Sequence, residues 1–100
     1  MLLIEIKQPQ AYKPTDHERA VLAIVAVSDT PQMAAMQVSK NEKLSFSKDN
    51  LVDLGFIADL EGGLQLTDTG TALIQAQALT DDMGGPSEEA RQLASNYALS

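Results

Sequence analysis

The sequence predicts an α+β, mainly helical domain on three observations. Thr15 and Glu18 have the spacing of a capping box, in which a hydroxyl and a carboxylate each bond the other's backbone N–H, ahead of the apolar run Ala20–Val27. Gly55 closes a later helical pattern, and two short strand-like runs follow it around Glu61-Gly62-Gly63. Thr67 and Ser87 then each offer a cap ahead of a further amphipathic stretch. A chain of 100 residues, 44% apolar and 21% charged, fits one such domain; two would each be too small to support a core.

In order, Leu2 to Lys7 reads as a strand, because Ile4 and Ile6 alternate with Glu5 and Lys7 until Pro9. Gln8 to Pro14 is a connector. The first helix starts at the capping box and is apolar almost all round from Ala20 to Val27, which predicts the most buried element. Ser28-Asp29-Thr30-Pro31 stops it and starts the next, Thr30 as cap and Pro31 in a first turn whose N–H has no partner to lose. Met33, Ala34, Met36 and Val38 give that second helix a modest apolar side, with the methionines expected to fill gaps in the core. A third helix is predicted from Glu42 or Ser45 to Leu54, turning Leu44, Ser47, Leu51 and Leu54 inward and Ser45, Phe46, Asp49, Val52 and Asp53 outward.

Phe56 to Leu60 and Leu64 to Leu66 form the predicted hairpin, its turn supplied by the glycines. A fourth helix carries Ala72, Leu73, Ala76 and Leu79 and is expected to end near Thr80. Asp81 to Pro86 reads as a linker. Ser87 restarts a helix in which Ala90, Leu93, Ala94 and Tyr97 line one side. The predicted organisation is a domain over residues 1–80 with an N-terminal strand, a linker at 81–86, and a C-terminal amphipathic helix at 87–100 that packs on the domain or on a second copy.

Composition narrows the chemistry. The longest apolar run, Ala20–Val27, falls far short of the roughly 20 residues that cross a bilayer. Glu5 and Lys7 interrupt the apolar opening before a signal sequence develops, and with no cysteine there are no disulfides, thiolate metal sites or thiol nucleophiles, so a cytoplasmic location is expected. The sole histidine, His17, sits beside Asp16 and Glu18 in a helix start, and no phosphate loop, dinucleotide fingerprint or serine elbow is present. Neither enzyme activity, a metal nor a cofactor is expected.

Net charge is −7. Up to Asn50 the cations and anions balance; from Leu51 onward Arg91 faces Asp53, Asp59, Glu61, Asp68, Asp81, Asp82, Glu88 and Glu89 alone. Such asymmetry first reads as a solvated face that keeps the protein in solution, with an acidic surface for a basic partner as the alternative, and it disfavours phosphate, whose binding depends on Lys and Arg displacing counterions.

The run Leu51-Val52-Asp53-Leu54-Gly55-Phe56-Ile57, followed by Gly63-Leu64-Gln65-Leu66-Thr67-Asp68-Thr69-Gly70, resembles the winged-helix superfamily over about residues 15–80. The resemblance implies a winged helix-turn-helix with an extra N-terminal strand and an extra C-terminal helix. It also implies a transcription-associated module whose third helix meets DNA, and the matching positions are Asn41, Lys43, Ser45 and Lys48. The outward carboxylates oppose that role, so DNA binding is expected to be weak or to depend on a partner. The alternative is a protein-interaction module with no direct DNA binding, presenting Asp59, Glu61 and Asp68. Under either reading a homodimer is the further expected assembly.

Overall fold

A computed structural model describes residues 11–98, so the strand expected at Leu2–Lys7 lies outside the described residues. The elements are α1 (Asp16–Val27), α2 (Pro31–Ser39), α3 (Glu42–Asp53), β1 (Ile57–Leu60), β2 (Gly63–Leu66), α4 (Asp68–Ala76) and α5 (Glu88–Ala98). This is an α+β architecture whose element order is compatible with winged-helix topology. No helix among the described residues is long and apolar enough to cross a membrane.

The helix starts follow their caps. Thr15 Oγ1 accepts from the Glu18 N–H at 3.1 Å while Glu18 Oε1 accepts from the Thr15 N–H at 2.9 Å. Thr30 accepts from the Met33 N–H with Pro31 in the first turn, and Thr67 accepts from the Gly70 N–H. The stretch Ala20–Ile24 is fully buried, and around it gather Ala34 and Val38 of α2, Leu44 and Leu51 of α3, Phe56, and Leu73 and Ile74 of α4. The methionines expected in that core lie outside it: Met33 and Met36 are 40% and 50% exposed. Ala34 and Val38, with Ala35 half-buried beside them, supply the inward face of so short a helix.

Gly55 takes φ 85°, the left-handed conformation expected of it. The Phe56 N–H then bonds back to the Leu51 carbonyl and the Gly55 N–H to that of Val52, both at 3.0 Å. In the antiparallel hairpin Ile57 pairs with Leu66 and Leu60 with Gly63. Glu61 (φ 45°) and Gly62 (φ 84°) make the two-residue turn. The third residue of the predicted turn, Gly63, instead begins β2, buried against α2, where an added Cβ would stand 2.8 Å from Pro31 Cβ.

α4 ends earlier than predicted. Ala78 turns left-handed at φ 58°, its N–H bonding the Gln75 carbonyl and the Leu79 N–H that of Ile74. Leu79 therefore reaches the core from a loop. Residues 81–86 form a closed loop, in which the Asp81 carboxylate accepts from the N–H groups of Met83 and Gly85, and Thr80 bridges to Pro86. Ser87 Oγ accepts from the Ala90 N–H and donates to the Ala78 carbonyl. α5 lies on α1 of its own chain, with Ala90 and Ala94 buried and Leu93 and Tyr97 half-buried. It turns Glu88, Glu89, Arg91, Gln92, Ser95 and Asn96 outward. Arg19 of α1 joins α5 through an ion pair with Glu89 and the end of α4 through Nε to Gln77 Oε1 at 3.1 Å.

Candidate interaction surface

α3 and the hairpin hold most of the residues singled out by sequence. Asn41 is the N-cap of α3, and its Oδ1 accepts from the N–H groups of Lys43 and Leu44 at 2.9 and 3.2 Å. That oxygen is thereby committed to the fold. Lys43 is exposed on the first turn, and Ser45 is half-buried. Lys48 bends away from the outward face: its Nζ donates to Asp49 Oδ1 at 2.7 Å and stands 3.7 Å from Asp59 Oδ2 on β1. The hydrogen bond to Asp49, with the carboxylate of Asp59 behind it, raises the Lys48 pKa above its ordinary value even though partial burial opposes the charge.

One residue of the DNA-contact set, Lys48, is thus joined to one of the protein-contact set, Asp59. With Ser45 they line a groove of about 200 Å³ that also touches Val38 of α2 and Gly62 at the hairpin turn. Glu61 is exposed in that turn, whereas Asp68 lies in the first turn of α4, beyond the opposite end of the hairpin. Asp59, Glu61 and Asp68 therefore do not form one patch.

Phe46, placed outward by periodicity but given no role by it, is 77% exposed. On a helix its surface neighbours at three and four residues are Glu42, Lys43, Asp49 and Asn50, all exposed. The helical period supplied its orientation; nothing local in the sequence distinguishes an aromatic left in water from one covered by a loop.

The second unforeseen feature is a polar cluster around one buried carboxylate. Glu18, 3% exposed, accepts from the Thr15 N–H, from the Tyr12 hydroxyl at 3.1 Å to each carboxylate oxygen, and from Asn50 Nδ2 at 2.5 Å. Burial, and then the hydrogen bond to this carboxylate, push the Tyr12 pKa up. The Tyr12 ring packs on Phe56 with centroids 5.1 Å apart, so the cluster ties residues ahead of α1 to α3 and to the entrance of the hairpin. Every donor in it points at one carboxylate, an arrangement that fixes structure. His17 is half-buried and meets the Tyr97 ring edge-on at 5.6 Å, in contact with α5. Among the described residues no group of three or more His, Cys, Asp or Glu side chains is placed to hold a metal ion.

Comparison of the chain with family models, with curated proteins and with solved structures finds no match.

Proposed function

We propose that this chain is a non-enzymatic, winged-helix-like module that binds a protein partner through the outward face of α3. The partner supplies an apolar pocket for Phe46 and a basic rim for Glu42 and Asp53, Asp49 being already paired with Lys48. The observation that carries this reading is Phe46, 77% exposed in the middle of a polar helix face. A large aromatic held in water is unfavourable unless something covers it, and buried aromatic anchors contribute a large share of binding energy in protein interfaces. The same face is poorly equipped for DNA: Lys48 is already compensated by two carboxylates and the Asn41 amide oxygen by two N–H groups, which leaves Lys43 beside Glu42 at one end and Asp53 uncompensated at the other.

Selection of displayed random peptides against the full chain tests the reading. Enriched peptides should combine an apolar anchor with Lys or Arg, lose about tenfold or more in affinity on Phe46→Ala, and bind Lys43→Glu at least as well as the wild type. Random-sequence duplex DNA provides the opposing measurement. Affinity that climbs steeply as salt is lowered and disappears with Lys43→Glu would replace the protein reading by the DNA one.

A further inference from the structure

A groove of about 420 Å³ separates α2 from the packed pair α1 and α5, lined by Ile24, Val27, Met33, Gln37, Arg91 and Ala94 and, from the α1–α2 loop, by Asp29. Its size is within the range of small-molecule sites, and most of the surface it exposes is apolar. Three polar groups in it share one property. Gln37 Oε1 is buried and has no hydrogen-bond partner, which is rare for an acceptor shut off from water. The Asp29 carboxylate and the Arg91 guanidinium take part in no side-chain hydrogen bond or ion pair among the described residues.

These groups are sorted by charge. Asp29 stands just past the C-terminus of α1, where the helix dipole is negative, and Arg91 sits in the N-terminal half of α5. The groove therefore brings together one buried acceptor short of a donor, an exposed carboxylate and an exposed guanidinium that can each exchange water for a ligand, and an apolar floor. We infer that it is a binding site for a small zwitterion with a hydrocarbon side chain, an apolar α-amino acid. The ammonium group donates to Asp29 and to Gln37 Oε1, the carboxylate accepts from the Arg91 fork, and the side chain covers Ile24, Val27 and Ala94. Met33, one turn before Gln37 on α2 and 40% exposed, is the flexible wall that gives way so that the ligand reaches the carboxamide. This site is independent of the α3 surface.

The test is titration of the full chain with L-leucine, followed by backbone amide NMR, beside two analogues that each lack one charge, 4-methylpentanoate and 3-methylbutylamine. Leucine should shift the amides of Ile24, Val27, Met33, Gln37 and Ala94 saturably, and each analogue should bind about fivefold more weakly or worse. Arg91→Gln and Asp29→Asn, both at exposed positions, should bring leucine down to the level of the corresponding analogue, and Ser95→Trp, at the groove wall, should abolish the shifts. Equal affinity for the analogues, indifference to Arg91→Gln, or the absence of saturable shifts overturns the proposal. Groove shifts that follow protein concentration without leucine place a second copy in the groove, and groove shifts that appear without leucine when residues 1–10 are removed place the chain's own N-terminal segment there; either result also overturns it.

Discussion

The carbonyl oxygen of Phe56 lies so close over Gly70 that a Cβ on this glycine would stand 2.0 Å from it. The approach is fixed from both sides. The Thr67 N–H donates to that same carbonyl at 3.1 Å, and the Thr67 hydroxyl donates to the Gly55 carbonyl at 2.5 Å while accepting from the Gly70 N–H. The Leu-Thr-x-x-Gly pattern thus has a packing cause: Thr67 ends the hairpin, caps α4 and clamps both to the end of α3, and Gly70 is the residue over which the clamp closes.

Gly70→Ala should accordingly destabilise the domain by about 3 kcal/mol, at the upper end of what overpacking costs, because the obstacle is backbone that two hydrogen bonds hold in place. Gly63→Ala meets Pro31 Cβ at 2.8 Å, an end of α2 that can shift, and should cost less. Urea denaturation midpoints of the two variants against the wild type measure the order; a smaller loss for Gly70→Ala than for Gly63→Ala would contradict it.

Ala78→Gly should have the opposite sign. Ala78 ends α4 at φ 58°, a conformation that strains any Cβ, so glycine should stabilise by roughly 0.5–1 kcal/mol even after its greater freedom in the unfolded chain is counted. The same denaturation assay reads this as a raised midpoint at constant slope.

What the sequence made legible divides along the same lines. Gly55, Thr15 with Glu18, Thr30 with Pro31, and Thr67 announce themselves because each acts on backbone within four residues of itself, and local chemistry is what a sequence displays. The end of α4 was invisible because an alanine carries the left-handed turn where a glycine would have marked it. Periodicity sets the orientation of Phe46, but Lys48 bends to Asp59 and Asn50 reaches Glu18 through folding of the chain over 11 and 32 positions, which no helical period encodes. The candidate site was therefore readable as a face of α3 and unreadable as a set of pairings, and those pairings decide which cations remain available.

Glu18→Ala should cost about 3 kcal/mol, since it leaves the donors of Tyr12, Asn50 and Thr15 without their common acceptor in a half-buried site. Asn50→Ala should cost less, because the carboxylate keeps its other partners. The losses should not add: in the double variant the Asn50 substitution should have almost no further effect, a coupling of about 1 kcal/mol measurable by a double-mutant cycle on unfolding free energies. Simple additivity would show that the two side chains do not meet in solution.

The last expectation concerns alkaline pH. Tyr12 and Lys48 both have folded-state pKa values raised above their ordinary values of 10.0 and 10.5, Tyr12 chiefly by burial and Lys48 chiefly by its hydrogen bond to Asp49. A group that holds its proton more tightly when folded stabilises the fold fully below its unfolded pKa. That contribution is lost as pH rises through the folded one, because the unfolded chain then releases a proton that the native state retains. Stability should therefore be insensitive to these two groups up to about pH 9 and should fall through them above about pH 10. Tyr12→Phe and Lys48→Met should each lower stability at neutral pH by removing a partner of Glu18 or Asp49, yet flatten the alkaline decline. Urea midpoints taken from about pH 8 to about pH 11 separate the two effects, and tyrosinate absorbance of the folded wild type should show a component titrating above the ordinary tyrosine range that is missing from Tyr12→Phe. A decline equally steep in both variants would place the alkaline-sensitive groups elsewhere in the molecule.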